Sequence, residues 1–346
     1  MPKRRRAALG MPKPKKNVRK ESESRADSSE FEYGIPTKRD YQRMHPYSSF
    51  AVKDDDDEAH FFRVGNNALI VPEGCNPEDR LELHKHWVGK ILEIRARDKD
   101  PSEVWVRVQW YWAASQISSK LKGKLPLGRM ELLHSKSEDF VHSTCFQGLA
   151  DVVSFDEDSV TQQYIDGETF YWRFEYDPAK ERISPKTKLK ASCLCKLPYN
   201  PDDDDIMHFC ISCQKSYHES CLDKHGSIEN ESRNSDDLPR DIRFERILGV
   251  RYPKQLTSFS ESDYSSLPQD LLRLARSPIV RGGPEHGVAG NVFPIVQARI
   301  YIHDALLEHK PIPDNWKDEV SANLSVVQAW IAEDNDYLCP NCHEVI

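Results

Sequence analysis

The sequence lacks any run of about 18 apolar residues, the length that a membrane-spanning helix needs. Its first residues are basic without an apolar segment, so we expect no secretory signal there. It also lacks a lysine-bearing phosphate loop, a nucleophile elbow and an HExxH motif. We therefore expect neither a membrane partner nor an enzyme.

Charge is unevenly divided along the 346 residues. The first 20 hold nine Lys or Arg and no acid, so the remainder carries −17 of a chain whose net charge is −8. Residues 1–58 are predicted to be a disordered basic tail, because such a segment cannot bury a core. The tail is either a nuclear-localisation signal with weak DNA contact or a solubilising segment. The acidic remainder suits a basic partner such as a histone tail.

Residues 59–190 alternate short β-branched and aromatic runs with turn signals, which predicts a mainly β, barrel-like antiparallel domain. Candidate strands are Ala68–Val71, Trp87–Arg95, Val104–Trp112, Phe140–His142, Ala150–Phe155 and Thr169–Tyr176.

Two tryptophans continue the apolar face of one predicted strand. Side chains alternate along a strand, so Trp110 and Trp112 share the face of the preceding valines, and Trp87 begins the neighbouring strand. These indoles either pack the core or line a pocket above it.

Nine cysteines in a chain without a secretory signal call for a metal rather than disulfides. Short spacing lets both members of a pair reach one ion, and two pairs close a tetrahedral shell. We therefore predict two structural Zn²⁺ ions without a catalytic water. The ligands are Cys193 and Cys195, Cys210 and Cys213, His218 and Cys221, and Cys339 and Cys342.

The ligand order, which begins with Cys193-x-Cys195, resembles a PHD finger over residues 191–346. The resemblance implies a cross-brace, in which the first and third pairs share one ion and the second and fourth share the other. Between ligands 193–221 and 339–342 we expect a helical insertion over about 223–336, with helices from Ser266, over Phe293–His309 and over Asn315–Ala332. The glycine-rich Arg281–Gly290 is predicted to be a loop.

Cys193-Leu-Cys-Lys-Leu-Pro-Tyr-Asn-Pro is similar to the start of the finger in plant proteins that join a BAH domain to a PHD finger. That similarity implies peptide contacts by Tyr199 and Met207, two walls that hold trimethyl-lysine. The third wall, normally Trp, is Ser216. A RING-type ubiquitin ligase also uses a cross-brace, but its first pair is normally Cys-x-x-Cys.

Four segments of the first domain resemble a BAH domain: Trp87-Val-Gly-Lys-Ile-Leu-Glu-Ile, Val104-Trp-Val-Arg-Val-Gln-Trp-Tyr-Trp112, Gly128-Arg-Met-Glu-Leu-Leu and Phe170-Tyr-Trp-Arg-Phe-Glu-Tyr176. The resemblance implies a methyl-lysine cage of Trp87, Trp110 and Trp112. It also implies peptide contacts by Ser135 and Asp139, with Ser137 where the family has a histidine.

The combined pattern resembles the BAH–PHD proteins of plants and fungi, and most of all fungal readers of a polycomb mark. It implies a mainly β domain followed by a small zinc-bound α+β finger with a helical insertion. The implied function is a nuclear chromatin reader of trimethylated histone H3, at lysine 27, in transcriptional repression and gene silencing. The alternative is a scaffold whose insertion recruits a corepressor or silencing complex and whose tryptophans are only core.

Overall fold

A computed structural model of the protein describes residues 34–53, 59–73, 75, 81–98, 100–117, 125–185, 193–203, 205–211, 213–225, 265–320, 337–343 and 346. The chain divides into two compact units. The sheet unit comprises 1–125, 129–154 and 168–186, and the Cys/His unit comprises 126–128, 155–167 and 187–346. The predicted boundary near residue 190 therefore overlooks two segments, because 126–128 and 155–167 belong to the second unit.

The described part of the sheet unit contains one helix, α1 (Lys38–Arg43), and short 3₁₀ turns between strands. Its strands are β1 (His45–Tyr47), β2 (Ser49–Lys53), β3 (Ala59–Arg63), β4 (Asn67–Ile70), β5 (Trp87–Arg97), β6 (Asp100–Ala113), β7 (Glu131–His142), β8 (Phe146–Leu149), β9 (Val152–Ser154), β10 (Phe170–Asp177) and β11 (Arg182–Pro185).

Most of these strands form one sheet in the order β11-β10-β7-β6-β5-β4-β8, with β1 on β5 and β9 on β10, while β2 and β3 form a separate hairpin. The prediction of a mainly β domain is confirmed. The expectation of a wholly antiparallel sheet is wrong, because β10 pairs in parallel with both β7 and β9. The local sequence pattern does not reveal this parallel pairing, because parallel partner strands are not joined by a tight turn.

Strand β6 fixes the core by alternation. Val106, Val108 and Trp110 point to one face and are 0–2% exposed. Trp105 lies on the opposite face. There it packs against Tyr41 of α1 and against Met44, which follows α1.

The expected disorder of residues 1–58 is corrected over 34–53. Tyr41 is 2% exposed, and its hydroxyl donates to the Glu93 carbonyl. The Arg95 guanidinium donates to the Met44 carbonyl, which fixes the end of α1. Apolar residues dispersed in a polar segment thus find a surface on the sheet. Residues 1–33 and 54–58 of the predicted tail lie outside the described residues.

The Cys/His unit contains a small sheet in the order β13-β12-β14, built from β12 (Met207–Cys210), β13 (Lys215–His218) and β14 (Val280–Arg281). Its helices are α2 (Glu219–His225), α3 (Gln269–Arg276), α4 (Gly283–His286), α5 (Val292–Leu307) and α6 (Trp316–Val320). Helices α3, α5 and α6 pack around a core that includes Leu271, Ile295, Ile302 and Trp316.

The predicted helices of the insertion are present where they are described. The helix expected from Ser266 is α3, and the one expected over Phe293–His309 is α5. The third begins at Trp316, and its predicted continuation beyond Val320 lies outside the described residues. Among the described helices, none has the length and apolarity to cross a membrane.

Candidate functional site

Trp87 and Trp110 make the central contact of the predicted aromatic site. Gly89 pairs with Trp110 across β5 and β6, so Trp87 and Trp110 leave the same face of neighbouring strands. Their ring centroids are 5.8 Å apart, and the planes are inclined at 85°. Trp110 is 2% exposed, whereas Trp87 is half-buried. Trp87 therefore presents more ring surface to solvent than Trp110 does.

Trp112 follows on the same face of β6, but its nearest ring is Tyr176. The two ring centroids lie 5.5 Å apart at 74°, and Trp112 is 6% exposed. The indole Nε1–H donates to Ser137 Oγ at 3.2 Å. Ser137, where the family resemblance places a histidine, thus fixes the orientation of Trp112. The ring contacts join the aromatics in two pairs rather than in one three-sided box.

The two predicted peptide contacts differ in their surroundings. Ser135 is 1% exposed, and its hydroxyl lies 2.9 Å from that of Ser137. Asp139 pairs with Val108 and is half-buried on the face that carries Trp110. Burial raises the pKa of Asp139, while a hydrogen bond from the Phe140 amide opposes the rise. Asp139 is therefore more accessible from solution than Ser135.

The eight predicted metal ligands gather in the Cys/His unit as two clusters. One contains Cys193, Cys195, His218 and Cys221, and the other contains Cys210, Cys213, Cys339 and Cys342. Within each cluster the ligand atoms lie within 4.8 Å of one another. This grouping is the cross-brace that the resemblance implied.

The donor atoms fit a tetrahedral zinc ion. His218 Nδ1 lies 3.2 Å from Cys193 Sγ and 3.4 Å from Cys195 Sγ. In the second cluster Cys210 Sγ lies 3.4 Å from Cys342 Sγ. Tetrahedral bonds of about 2.3 Å separate two sulfurs by about 3.8 Å, so small shifts would seat an ion. Three thiolates with one imidazole in the first cluster, and four thiolates in the second, suit zinc in a closed structural role.

Tyr199 and Met207, the predicted peptide contacts of the finger, are each 3% exposed. The Tyr199 hydroxyl donates to the Val288 carbonyl at 2.8 Å. Ser216, in place of a third aromatic wall, is 8% exposed on β13. These three positions are therefore covered by the protein itself.

Sequence reasoning did not identify Tyr176 as part of the aromatic site. Its ring meets Trp112 only because β10 runs parallel to β7, with Tyr176 paired to Ser135. Aromatic residues at every second position (Phe170, Trp172, Phe174 and Tyr176) predicted a strand. They did not indicate which strand would pair with that strand.

Comparison with known proteins identifies the first domain. Residues 52–186 match the family model of the BAH domain, which confirms the BAH resemblance of this region. Chromatin remodeling protein SHL and Chromatin remodeling protein EBS of Arabidopsis thaliana are each 28% identical to this chain. The matches cover 44% and 46% of this chain. The chain spans 62% of the length of each relative.

A solved structure, that of the yeast Rsc2 BAH domain, is similar over 39% of this chain and 53% of that chain. The sequence identity is 16% and the TM-score is 0.29.

Proposed function

We propose that this protein is a nuclear chromatin reader whose BAH region binds trimethyl-lysine on the histone H3 tail. The contact between Trp87 and Trp110 carries the proposal. Two indoles at 85° present the ring face of one beside the edge of the other, as two adjoining walls of a cage do. Trp112 lies next along the same strand face and contacts Tyr176, so it completes the cage as a third wall only when its ring turns toward Trp110.

A trimethylammonium group has no N–H, so aromatic faces must provide its recognition. Tryptophan is the strongest cation–π partner among the aromatic residues, worth about 0.5–2 kcal/mol in each such contact. Trp110 and Trp112 are 2% and 6% exposed, so their ring faces become available to a ligand only when neighbouring side chains move. Trp87 is half-buried and contacts Trp110, and Asp139 adds a negative charge on the same face.

The choice of histone mark and of biological outcome rests on the family resemblance and on the names of the relatives. Both Arabidopsis thaliana proteins are named for chromatin remodeling. We propose histone H3 trimethylated at lysine 27 as the ligand and transcriptional repression as the outcome. Two structural zinc ions hold the Cys/His unit as a PHD-type finger.

The test is calorimetric titration of the full chain with H3 peptides trimethylated singly at lysines 4, 9, 27 and 36. We expect the lysine 27 peptide to bind best and Trp110→Ala to weaken it by about tenfold or more. Trp105→Ala is the matched control, because Trp105 is 1% exposed on the opposite face of β6. Both variants lose a buried indole, but only Trp110→Ala should lose the peptide.

Trp87→Ala separates recognition from folding, because this residue is only half-buried. A Trp87→Ala protein that stays folded and binds the peptide like the wild type would remove the cage from the proposal.

The burial of Trp110 favours a second candidate, a scaffold without methyl-lysine recognition. At 2% exposure its indole also fits a purely structural role in the core. A scaffold would bind methylated and unmethylated peptides equally, or neither, in the same titration. Its insertion, with α3, α5 and α6, would then be the part that recruits a silencing complex.

A further inference from the structure

The glycine-rich segment Arg281–Gly290, which the sequence predicted to be a loop, begins in the sheet of the Cys/His unit and contains the short helix α4 before its closing turn. Its two-residue strand β14 pairs antiparallel with β12, so that Arg281 lies opposite Met207 and Val280 opposite His208. The Phe209 amide donates to the Ile279 carbonyl at 2.8 Å. An extended peptide that a domain binds in trans occupies a sheet edge in the same manner.

The side chain of Arg281 lies on the aromatic ring that the resemblance assigned to a methylated lysine. Its guanidinium carbon is 4.2 Å from the centroid of the Tyr199 ring, within cation–π distance. On its other side Arg281 Nη2 forms an ion pair with Glu157 Oε2 at 3.1 Å. The Arg281 and Glu157 side chains are 13% and 17% exposed, so solvent screens this charge pair only in part.

The backbone of the same segment is shaped to hold Arg281 there. A Cβ at Gly290 would lie 1.9 Å from the Val280 carbonyl oxygen, so only glycine allows this close return. Asn291, 1% exposed, accepts from the Val280 amide and donates to the Pro278 carbonyl. The Val288 carbonyl accepts the Tyr199 hydroxyl, so one segment fixes both the cation and its ring.

Arg281 also reaches the place of the missing aromatic wall. Ser216, which stands there, lines the same pocket as Phe209 and Arg281. A second cation on the Tyr199 ring would therefore lie beside the charge of Arg281, and like charges repel.

We infer that Arg281 is the resident ligand of this finger. The insertion supplies in cis the extended strand and the cation that Tyr199 and Met207 would otherwise receive from a peptide. The Cys/His unit is thus closed to a histone tail, and its cation site holds the insertion on the finger. This inference does not depend on recognition by the BAH region.

Hydrogen exchange of the zinc-loaded full chain, followed by mass spectrometry over residues 205–211, tests the inference. Arg281→Met keeps an unbranched stem but removes the charge, and Tyr199→Leu removes the ring. Each should raise exchange at β12 by about tenfold, and the double variant should exchange little faster than either single one. Arg273→Met is the control, because Arg273 is exposed on α3 of the same insertion.

Two results would overturn the inference. Exchange of Arg281→Met equal to that of the wild type and of Arg273→Met would mean that the cation does not hold the strand. A wild-type chain in which an N-terminal H3 peptide, unmodified or trimethylated at lysine 4, slows exchange over 205–211 would show a site open to peptides. The expected result is that neither peptide changes exchange there.

Discussion

Arg173 and Glu131 form a bidentate ion pair inside the sheet unit. Arg173 Nε lies 2.7 Å from Glu131 Oε1, and Nη2 lies 3.1 Å from Oε2. The two residues are 4% and 1% exposed. Arg173 sits where the pairing of β10 with β7 shifts register, between Trp172 and Phe174. The irregularity points a charged side chain inward, and the planar guanidinium matches the carboxylate.

Removing either partner of this pair should destabilise the sheet unit strongly. Arg173→Met leaves the Glu131 carboxylate buried without its counter-charge, at a cost of about 3–5 kcal/mol. The combined change Glu131→Leu with Arg173→Met removes both charges and should cost less than Arg173→Met alone. Urea unfolding of the three proteins measures the difference. A double variant less stable than Arg173→Met would contradict a desolvation origin of the effect.

Features encoded by a short repeat or a short spacing between residues could be predicted from the sequence. Alternation along β6 placed Trp110 and Trp112 on one face, and short Cys/His spacing identified the members of both Cys/His clusters. Both signals are local, so they persist whatever the tertiary arrangement. The helix over Phe293–His309 was found to within two residues for the same reason.

Features created by distant pairing could not be predicted. Tyr176 contacts Trp112 because β10 pairs in parallel with β7, and Arg173 points inward because that pairing shifts register. Neither position is marked by a periodic pattern in the sequence. Strand β14 is two residues long within a glycine-rich run, so it also has no alternation to detect. Such positions are set by which strands meet, and a single sequence does not encode that in a local pattern.

Gly89→Ala should weaken methyl-peptide binding through the position of Trp110. An added Cβ would lie 3.1 Å from Ile70 Cδ1, 3.2 Å from Val108 Cβ and 3.5 Å from Trp110 Cε3. The two shorter distances are below ordinary contact, so the neighbours must shift and the Trp110 ring moves with them. We expect a severalfold weaker affinity, measured by the same calorimetric titration.

Gly148→Ala is the matched control for this change. Gly148 also lies in the sheet, on β8, but its added Cβ would meet only Leu69 Cδ1, at an ordinary 3.6 Å. Equal peptide affinities for Gly89→Ala and the wild type would show that the Trp110 position does not govern binding.

His142 should make the sheet unit less stable in mild acid. Desolvation by burial lowers the pKa of His142 from 6.5 to about 4. His142 is therefore protonated below about pH 6.5 in the unfolded chain, but only below about pH 4 in the folded chain. The free energy of unfolding should fall across this window by on the order of 3 kcal/mol.

Urea unfolding at several pH values checks this expectation, with His142→Gln as the variant and His45→Gln as the control. His45 is exposed on β1, so its replacement should leave the pH dependence unchanged. An equally steep loss of stability in His142→Gln and the wild type would assign the acid sensitivity to other groups.

Removal of metal should unfold the Cys/His unit and spare the BAH region. The second cluster joins β12 and its following turn to Cys339 and Cys342, which lie more than a hundred residues further along the chain. Because thiolate ligands assemble only in the folded unit, the free energy of zinc binding contributes directly to folding. A chelator should therefore abolish one melting transition and leave that of the sheet unit in place.

Metal content per chain distinguishes two sites from one. Atomic emission should find two zinc ions in the wild type and one in Cys342→Ser, since that variant leaves three ligands in the second cluster and four in the first. Cys75→Ser is the control, because Cys75 is a half-buried thiol outside both clusters. If Cys342→Ser retains two ions while Cys75→Ser loses one, the assignment of Cys342 as a ligand and of Cys75 as a free thiol is wrong. If the wild type holds one ion or none, two closed structural sites are excluded.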